Sequence, residues 1–406
     1  MTTGKSQRPR RVLIIVQNLP VPLDRRVWQE SLALRAAGYG VSVICPRATD
    51  GPRFQVIEGV RIHAYKPPPE TSGVLSFGVE FTYCWIRSFL LSLWIAATEG
   101  FDVVQACNPP DTYWLLGAFY RLLGKKFVFD QHDLNPEVYE SRFGKRGGLH
   151  TVLKVLERLT YLAANHVVVT NESYKRVALR RGKLAETGVT VVRNAPNKGN
   201  LYRVPDRPEL RRGRTHLAAY LGIMGPQDNV DDLVRAIGIY VHELGRTDCS
   251  FALLGFGDAL DGLKALSTEL GLDDWIEFTG RADDVMIRDY FSTAAVGLAP
   301  DLSSPLNDVS TMCKTLEYMA FALPVLSYKL PETLVSAGEA ATYIDSGDLK
   351  GYAQGLADLL DDPERRASTG AIGIERIQGP LAWVHQAEKY VGVFDTLLHR
   401  TPTPGS

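Results

Sequence analysis

The sequence predicts an α/β protein made of two doubly wound, parallel-sheet domains. Three observations lead there. Short apolar runs alternate with longer segments of helical period along most of the 406 residues, the pattern of successive βαβ units. The alternation breaks over residues 196–215 (PNKGNLYRVPDRPELRRGRT), rich in Pro, Arg and Gly, which read as a linker. At roughly 100–200 residues per domain, the length suggests about two or three domains.

In the first half, strands are expected at 12–16, 41–45, 60–64, 103–106, 127–129, 167–170 and 189–192. Most end on a polar residue, Gly or Pro, as buried parallel strands do. Helices are expected at 26–37, 111–123, 149–163 and 172–181. The second series has strands at 218–223, 251–255, 276–279, 296–299 and 324–327. Its helices are expected at 230–242, 259–270, 285–292 and 310–321, then from Leu349 and from Ala371. The expected domains are 1–195 and 216–378, with a C-terminal segment, 379–406, whose helix returns to the first domain. In open parallel sheets, ligands bind beyond the C-terminal strand ends. Two such domains facing each other would place a site in a central cleft.

Composition narrows the class. Apolar residues at 45% and charged residues at 22% argue against disorder. Five cysteines without C-x-x-C spacing argue against a disulfide scaffold or structural zinc, and fit a reducing cytoplasm. The first apolar run, VLIIVQ, is too short for a signal-peptide core. Residues 79–97 (VEFTYCWIRSFLLSLWIAA) are apolar over about the length of a membrane span, yet contain Glu80 and Arg87. A buried or membrane-contacting helix fits better than a span, which would divide one sheet across the bilayer.

Net charge is −1, but residues 1–200 hold 27 Lys+Arg against 16 Asp+Glu, a net of +11. Of the chain's 45 and 46, that leaves 18 and 30 for the rest, a net of −12. A basic first half calls for an anionic partner. Arg142, Lys145, Arg146, Lys154, Arg158 and further cations up to Lys183 cluster in sequence. Such runs are usually solvated faces, but an anionic leaflet attracts each basic residue by roughly 1 kcal/mol. Several together would dock the protein reversibly on a membrane. Nucleic-acid binding would also want aromatic platforms or a recognised helix motif, and neither stands out.

Several residues suggest chemistry. Ser310 or Thr311 would begin a helix, whose free N–H groups suit phosphate. Lys314 would lie one turn on, facing the same side, and could neutralise a bound phosphate. Glu317 sits in an otherwise apolar helix and needs a partner; a ribose diol is one. The loop after the first strand of the second domain contains Gly225, Gln227 and Asp228, its glycines allowing close backbone approach. In the first domain His132 stands just beyond a strand end, where a neutral imidazole could donate to a sugar hydroxyl or a phosphate. Arg25 and Arg26 follow the first strand, and a guanidinium fork suits phosphate oxygens; at least one is expected to face a phosphate. Glu137 lies near the same rim, and Asp111 reads as a helix cap.

At this point the chain resembles a known family. DRRVWQESLALRAAGYGVSVICP and FDVVQACNPPDTYWLLGAFYRLLGKKFVFDQHDLNPEVYESRFG resemble the N-terminal domain of GT-B fold, family 4 glycosyltransferases of bacterial surface-polysaccharide assembly. GIMGPQDNVDDLVRAI and SSPLNDVSTMCKTLEYMAFALPVLSY resemble their donor-binding half. The resemblance implies retaining transfer from a nucleotide sugar, UDP-linked by default, with no metal and no cofactor. It implies that Glu317 holds the ribose as the second member of an E-x7-E pair, that His132 contacts the donor sugar, and that the Gly280–Arg281 turn contacts the base through its backbone. The chain departs from the pattern in two places. Val309 stands where the first glutamate belongs, leaving adjacent Asp308 or the 307–308 backbone to replace it. The Arg and Lys frequent in the glycine loop are absent, and Gln227 and Asp228 stand there. The implied acceptor is a saccharide or a polyprenyl-diphosphate-linked acceptor, met at the inner face of the cytoplasmic membrane through the basic N-terminal domain. A sugar-nucleotide epimerase and a non-catalytic nucleotide-sugar-binding protein are the alternatives on the same architecture.

Overall fold

The computed structural model describes residues 8–68, 74–144, 146–196, 199 and 201–400; Lys145 and part of the expected linker lie outside them. The chain divides into two compact units. One comprises Met1–Glu140, Gly144–Arg193 and Val384–Ser406, the other Ser141–Phe143 and Asn194–Trp383.

The first unit runs β1 (Arg11–Ile15), α1 (Arg25–Ala36), β2 (Gly40–Pro46), β3 (Phe54–Ile57), β4 (Val60–Tyr65), α2 (Val74–Thr98), β5 (Val103–Cys107) and α3 (Trp114–Leu122). It continues through β6 (Lys126–Gln131), α4 (Asn135–Phe143), α5 (Gly148–Ala163), β7 (His166–Val169), α6 (Glu172–Gly182) and β8 (Val189–Val191). The strand order is β3-β4-β2-β1-β5-β6-β7-β8. All pairs are parallel except β3 with β4, an antiparallel hairpin. Its two-residue turn, Glu58–Gly59, has φ of 47° and 79°, the left-handed pair that matches strand twist. The sequence reading omitted β3 because an edge strand with alternating exposure lacks a continuous apolar run. α1 begins at Arg25, since the Asp24 carboxylate accepts the Val27 N–H at 3.0 Å and caps it.

The second unit runs β9 (His216–Ile223), α7 (Val230–Gly238), β10 (Cys249–Phe256), α8 (Leu260–Glu269), β11 (Ile276–Gly280), α9 (Asp284–Thr293) and β12 (Val296–Ala299). Then come α10 (Cys313–Ala320), β13 (Val325–Tyr328), α11 (Pro331–Ala337), β14 (Ala341–Ile344), α12 (Leu349–Asp361) and α13 (Pro363–Gln378). The sheet is fully parallel, in the order β11-β10-β9-β12-β13-β14. Residues 201–215, read as linker, pack on this unit. Leu201 is buried in its core, and the Val204 and Arg207 N–H groups donate to Ser292 Oγ and Thr293 Oγ1 at the end of α9, at 2.9 and 3.0 Å.

Three helices start three or more residues from where the sequence suggested; α3 starts at Trp114 instead of Asp111, after a turn at 111–113. α10 starts at Cys313 instead of Ser310, because a 3-10 turn at Asn307–Val309 precedes it and Ser310 is extended. α13 starts at Pro363 instead of Ala371, capped by the Asp362 side chain. The last helix, α14 (Trp383–Leu397), belongs to the first unit. There Tyr390 and Phe394 are wholly buried, and Asp395 accepts the Tyr39 hydroxyl at 2.7 Å. Among the described residues no helix is long and apolar enough to cross a membrane.

Candidate active-site residues

In the second unit, two segments some ninety residues apart in sequence converge at the C-terminal end of β9. After Gly222 the chain makes a 3-10 turn at Pro226–Asp228, in which the Gly225 N–H donates to Asp228 Oδ2 at 3.0 Å. Lys314, in the first turn of α10, reaches this loop. Its ammonium lies 4.9 Å over the Tyr220 ring and donates to Asp301 Oδ1 at 2.7 Å. The side chains are only 9% and 3% exposed. Burial works against the Lys314 charge, but the Asp301 carboxylate, joined by Asp228, outweighs it and holds the lysine above its usual range. Burial raises Asp228, and Lys314 offsets part of that rise. The second Asp301 oxygen, Oδ2, is buried without a hydrogen bond. Asp301 was missed by sequence reasoning; its signal is a carboxylate one residue past the apolar strand VGLAP, where parallel sheets bind ligands.

Tyr318 places α10. Its hydroxyl donates to the Leu298 carbonyl and accepts the Leu221 N–H, each at 2.9 Å, tying the helix to β12 and β9. Glu317, beside it, is half-buried on the same helix as Lys314. The other expected donor residues are less simply arranged. Ser310 lies outside the helix and donates to the Leu306 carbonyl at 2.8 Å; Thr311 also precedes the Met312 cap. The expectation that either begins α10 on the Lys314 face is therefore corrected. Asp308 accepts from Ser303 Oγ at 3.1 Å through Oδ2, while its Oδ1 is buried and unbonded. Gln227 Oε1 is likewise buried without a hydrogen bond. The Gly280 turn has φ of 75°, and Arg281 stacks 4.0 Å over the Phe256 ring.

In the first unit a buried polar network surrounds the end of β6. Arg26 donates to Asp130 Oδ1 at 2.8 Å and to the Val192 carbonyl at 2.9 Å, and pairs with Glu30 at 3.1 Å. Its side chain is 10% exposed. Its guanidinium is engaged with two buried carboxylates, where the expectation was that at least one of Arg25 and Arg26 faces phosphate. Arg25 is half-buried at the start of α1. His132 Nε2 lies 2.6 Å from Asp130 Oδ2. Burial disfavours its charge, but Asp130 outweighs burial and raises its pKa, favouring the imidazolium more than in a free histidine. Burial also opposes ionisation of Asp130, yet Arg26 and then His132 hold it well below its usual range. Glu30 is raised by burial and by Asp130. Gln105 donates to Glu30 at 2.9 Å and accepts from Tyr390 at 2.7 Å, so α14 closes the network.

Asp111 does not cap α3. Its oxygens accept from Asn108 at 2.9 Å and Asn135 at 2.6 Å, and burial pushes its pKa up to about 7. Asn108 Oδ1 in turn accepts the His132 N–H at 2.7 Å. Glu137 is paired with Arg181, which also reaches Glu157 at 3.2 Å, so the carboxylate expected at the acceptor rim is engaged within its own unit. Cys107, Asp130 and His132 offer three ligand atoms within 4.8 Å. The set fits a divalent cation poorly, since Arg26 already shares Asp130 and burial, then Asp130, keep the Cys107 thiol protonated.

Comparison with known proteins agrees with this architecture. A family model described as "Glycosyl transferase 4-like domain" matches residues 23–195, and one described as "Glycosyl transferases group 1" matches residues 215–362. The chain belongs to the family 4 glycosyltransferases, with the GT-B fold. This glycosyltransferase is 26% identical to a D-inositol 3-phosphate glycosyltransferase of Thermomonospora curvata, over 91% of each chain. It is 30% identical to the lipopolysaccharide core biosynthesis glycosyltransferase LpsE of Rhizobium meliloti, over 31% of this chain and 36% of that one. Its fold matches sucrose-phosphate synthase of Thermosynechococcus elongatus with a TM-score of 0.77 at 19% identity, covering 96% and 99% of the two chains. It also matches Anabaena HepE, solved with UDP and glucose, with a TM-score of 0.72 at 14% identity, covering 95% and 99%.

Proposed function

We propose that this glycosyltransferase moves a sugar, with retention, from a nucleotide sugar to a saccharide acceptor carried on a lipid at the inner face of the cytoplasmic membrane, without metal or other cofactor. The observation that carries the reading is the buried Lys314 ammonium at the Gly225–Asp228 loop, kept charged by Asp301. A departing diphosphate needs a cation that costs no reorganisation when charge develops. Lys314 is that cation, and Asp301 holds it in place. Glu317 takes the ribose hydroxyls. The 225–228 and 307–311 segments, with Asp308, Gln227 and Arg281, bound the remaining donor. In the first unit His132, fixed by Asp130 and by Asn108, presents its other ring edge to the reacting sugar.

The names of relatives support both halves of the reading. HepE was solved with UDP-glucose, and a Mycolicibacterium smegmatis relative, 28% identical over 46% of this chain, is a GDP-mannose-dependent phosphatidylinositol monomannoside mannosyltransferase. UDP is therefore the first base to test and GDP the second. A thermal-shift panel of UDP-, GDP- and dTDP-sugars, followed by assay of nucleoside diphosphate release with and without acceptor, tests the proposal. One sugar nucleotide should stabilise the protein, and release should depend on acceptor. Conversion of the donor without any acceptor would instead identify an epimerase. The product's anomeric configuration, read by NMR, tests retention.

A further inference from the structure

A directed chain of hydrogen bonds runs from the C-terminal helix to His132. Tyr390, on α14, donates its hydroxyl to Gln105 Oε1 at 2.7 Å. Gln105, inside β5, donates from Nε2 to Glu30 Oε2 at 2.9 Å and to Asp130 Oδ2 at 3.3 Å. The same Asp130 oxygen lies 2.6 Å from His132 Nε2. Tyr390, Gln105, Glu30 and Asp130 are all 0% exposed. An ionised carboxylate only accepts, so the Gln105 amide turns its N–H groups toward Asp130 and its oxygen toward Tyr390. Burial holds the Tyr390 pKa well above the usual tyrosine value, so the hydroxyl keeps its proton and is the donor.

α14 reaches the same carboxylate by a second route. Gln386 stands one helical turn before Tyr390, on the same face of the helix, and is also buried. Its Oε1 accepts the Arg193 N–H at 3.0 Å. That N–H belongs to the peptide whose carbonyl, on Val192, accepts from Arg26 at 2.9 Å, and Arg26 donates to Asp130 Oδ1 at 2.8 Å. Each oxygen of Asp130 is thus held by a group, Gln105 or Arg26, that α14 holds in turn.

Bracing alone does not call for these polar contacts. α14 already has an apolar anchor in Phe394, which is wholly buried and meets the Tyr39 and Tyr390 rings edge-on, with centroids 6.2 and 5.0 Å apart. Burying a hydroxyl and two amides beside carboxylates is costly unless the hydrogen bonds are made. Once made, they leave the network a single arrangement, because no member can turn without stranding another.

We propose that Tyr390 is a positioning residue for His132: through Gln105 and Asp130 it sets the orientation of the imidazole that meets the reacting sugar. The proposal rests on the role of His132 in the proposed function, and it extends the site to the C-terminal helix. Tyr390 acts only through its neighbours. With its hydroxyl in place, His132 meets Asp130 through Nε2 and keeps Nδ1 for the sugar. Without the hydroxyl, the Gln105 oxygen becomes a buried acceptor with no donor, the amide is free to turn, and Asp130 loses the N–H that fixes its Oδ2.

The test compares Tyr390→Phe with Tyr39→Phe in the full chain. Each removes one hydroxyl that anchors α14, since Tyr39 donates to Asp395 at 2.7 Å, but only Tyr390 leads to Gln105. His132 is observed directly through its ring 1H–15N signals at fixed pH, assigned with His132→Gln, and turnover is read as UDP release from UDP-glucose. Tyr390→Phe should shift the His132 ring signals and lower kcat about tenfold, with KM for UDP-glucose unchanged, because the donor-binding residues lie in the second unit. Tyr39→Phe should match the wild type in both readings. Gln105→Met should reproduce Tyr390→Phe, and adding Tyr390→Phe to it should change nothing further. Unmoved His132 signals in Tyr390→Phe, equal effects of the two tyrosine variants, or additive losses in the double variant overturn the proposal. If Gln105→Met does not fold, the two tyrosine variants decide alone. His132→Gln separates this proposal from the reading it rests on. If that variant keeps the wild-type kcat, or if the wild type releases no UDP, the reading of His132 or of the donor fails, and the ring signals of Tyr390→Phe still decide positioning.

Discussion

Lys314 Nζ and Asp301 Oδ1 meet at 2.7 Å inside the second unit, with both side chains almost wholly out of water. Removing one member of such a pair strands the other's charge, at a cost of about 3–5 kcal/mol. Lys314→Ala and Asp301→Ala should each lower the denaturant midpoint of the unfolding transition that reports on this unit. The double variant should lose clearly less than the sum of the two. Additive losses would show that the pair is not coupled.

The proposed roles of Lys314 and Glu317 separate in kinetics. Glu317→Ala removes charge-assisted hydrogen bonds to ribose and should weaken donor binding roughly tenfold, consistent with about 1.5 kcal/mol, with less effect on turnover. Lys314→Ala removes charge stabilisation at the leaving group and should lower kcat by about 10²–10³, assayed at a temperature where the variant stays folded. Titration calorimetry and initial rates give the two quantities. Matching losses in both variants would overturn the division of labour.

His132 makes part of the stability depend on pH. Its pKa is raised in the folded chain: burial opposes the charge, but Asp130 prevails. The folded state therefore holds this proton more tightly than the unfolded state. Its stabilisation is complete below the unfolded histidine value, about 6.5, and fades as pH rises through the higher folded value. His132→Gln should lose that component, so the variant's stability should fall less than the wild type's above neutral pH. NMR titration of the ring should place its midpoint above the ordinary histidine value. A midpoint below it would contradict the pairing with Asp130.

Gly297 packs directly against α10, the helix that carries Lys314 and Glu317. A Cβ built on it would run into the Tyr318 ring, whose hydroxyl links α10 to β9 and β12. Gly297→Ala should cost about 1–3 kcal/mol by overpacking and should weaken nucleotide-sugar binding as α10 shifts. Thermal melting with and without the nucleotide sugar measures both effects. An unchanged melting temperature would mean that the ring moves aside freely.

Much of the architecture was legible in the chain alone. Continuous apolar runs such as Val12–Leu13–Ile14–Ile15 marked buried parallel strands, and their alternation with helical periods indicated two wound sheets. Two edge strands, β3 and β14, escaped that reading, whereas the edge strands β8 and β11 did not. β3 alternates in exposure, and β14 (ATYI) is half-buried throughout, so neither presents the unbroken apolar run of a central strand. Helix starts were misplaced where a turn intervened, as at Asn307–Val309 before α10.

For the site, sequence order identified Lys314, Glu317 and His132 as residues able to do chemistry. It could not say which charges neutralise one another. Arg26, which reads as a phosphate fork, is tied to Asp130, and Asp301 became visible only as the partner of Lys314. The sequence by itself determined the periodicities, the residue types and the excess of positive charge in the first half. The tertiary structure alone decided the pairings and left Ile86, Leu90 and Trp94 of α2 exposed. Periodicity is a local property of the chain, whereas an ion pair or an exposed face depends on which distant segments the fold brings alongside.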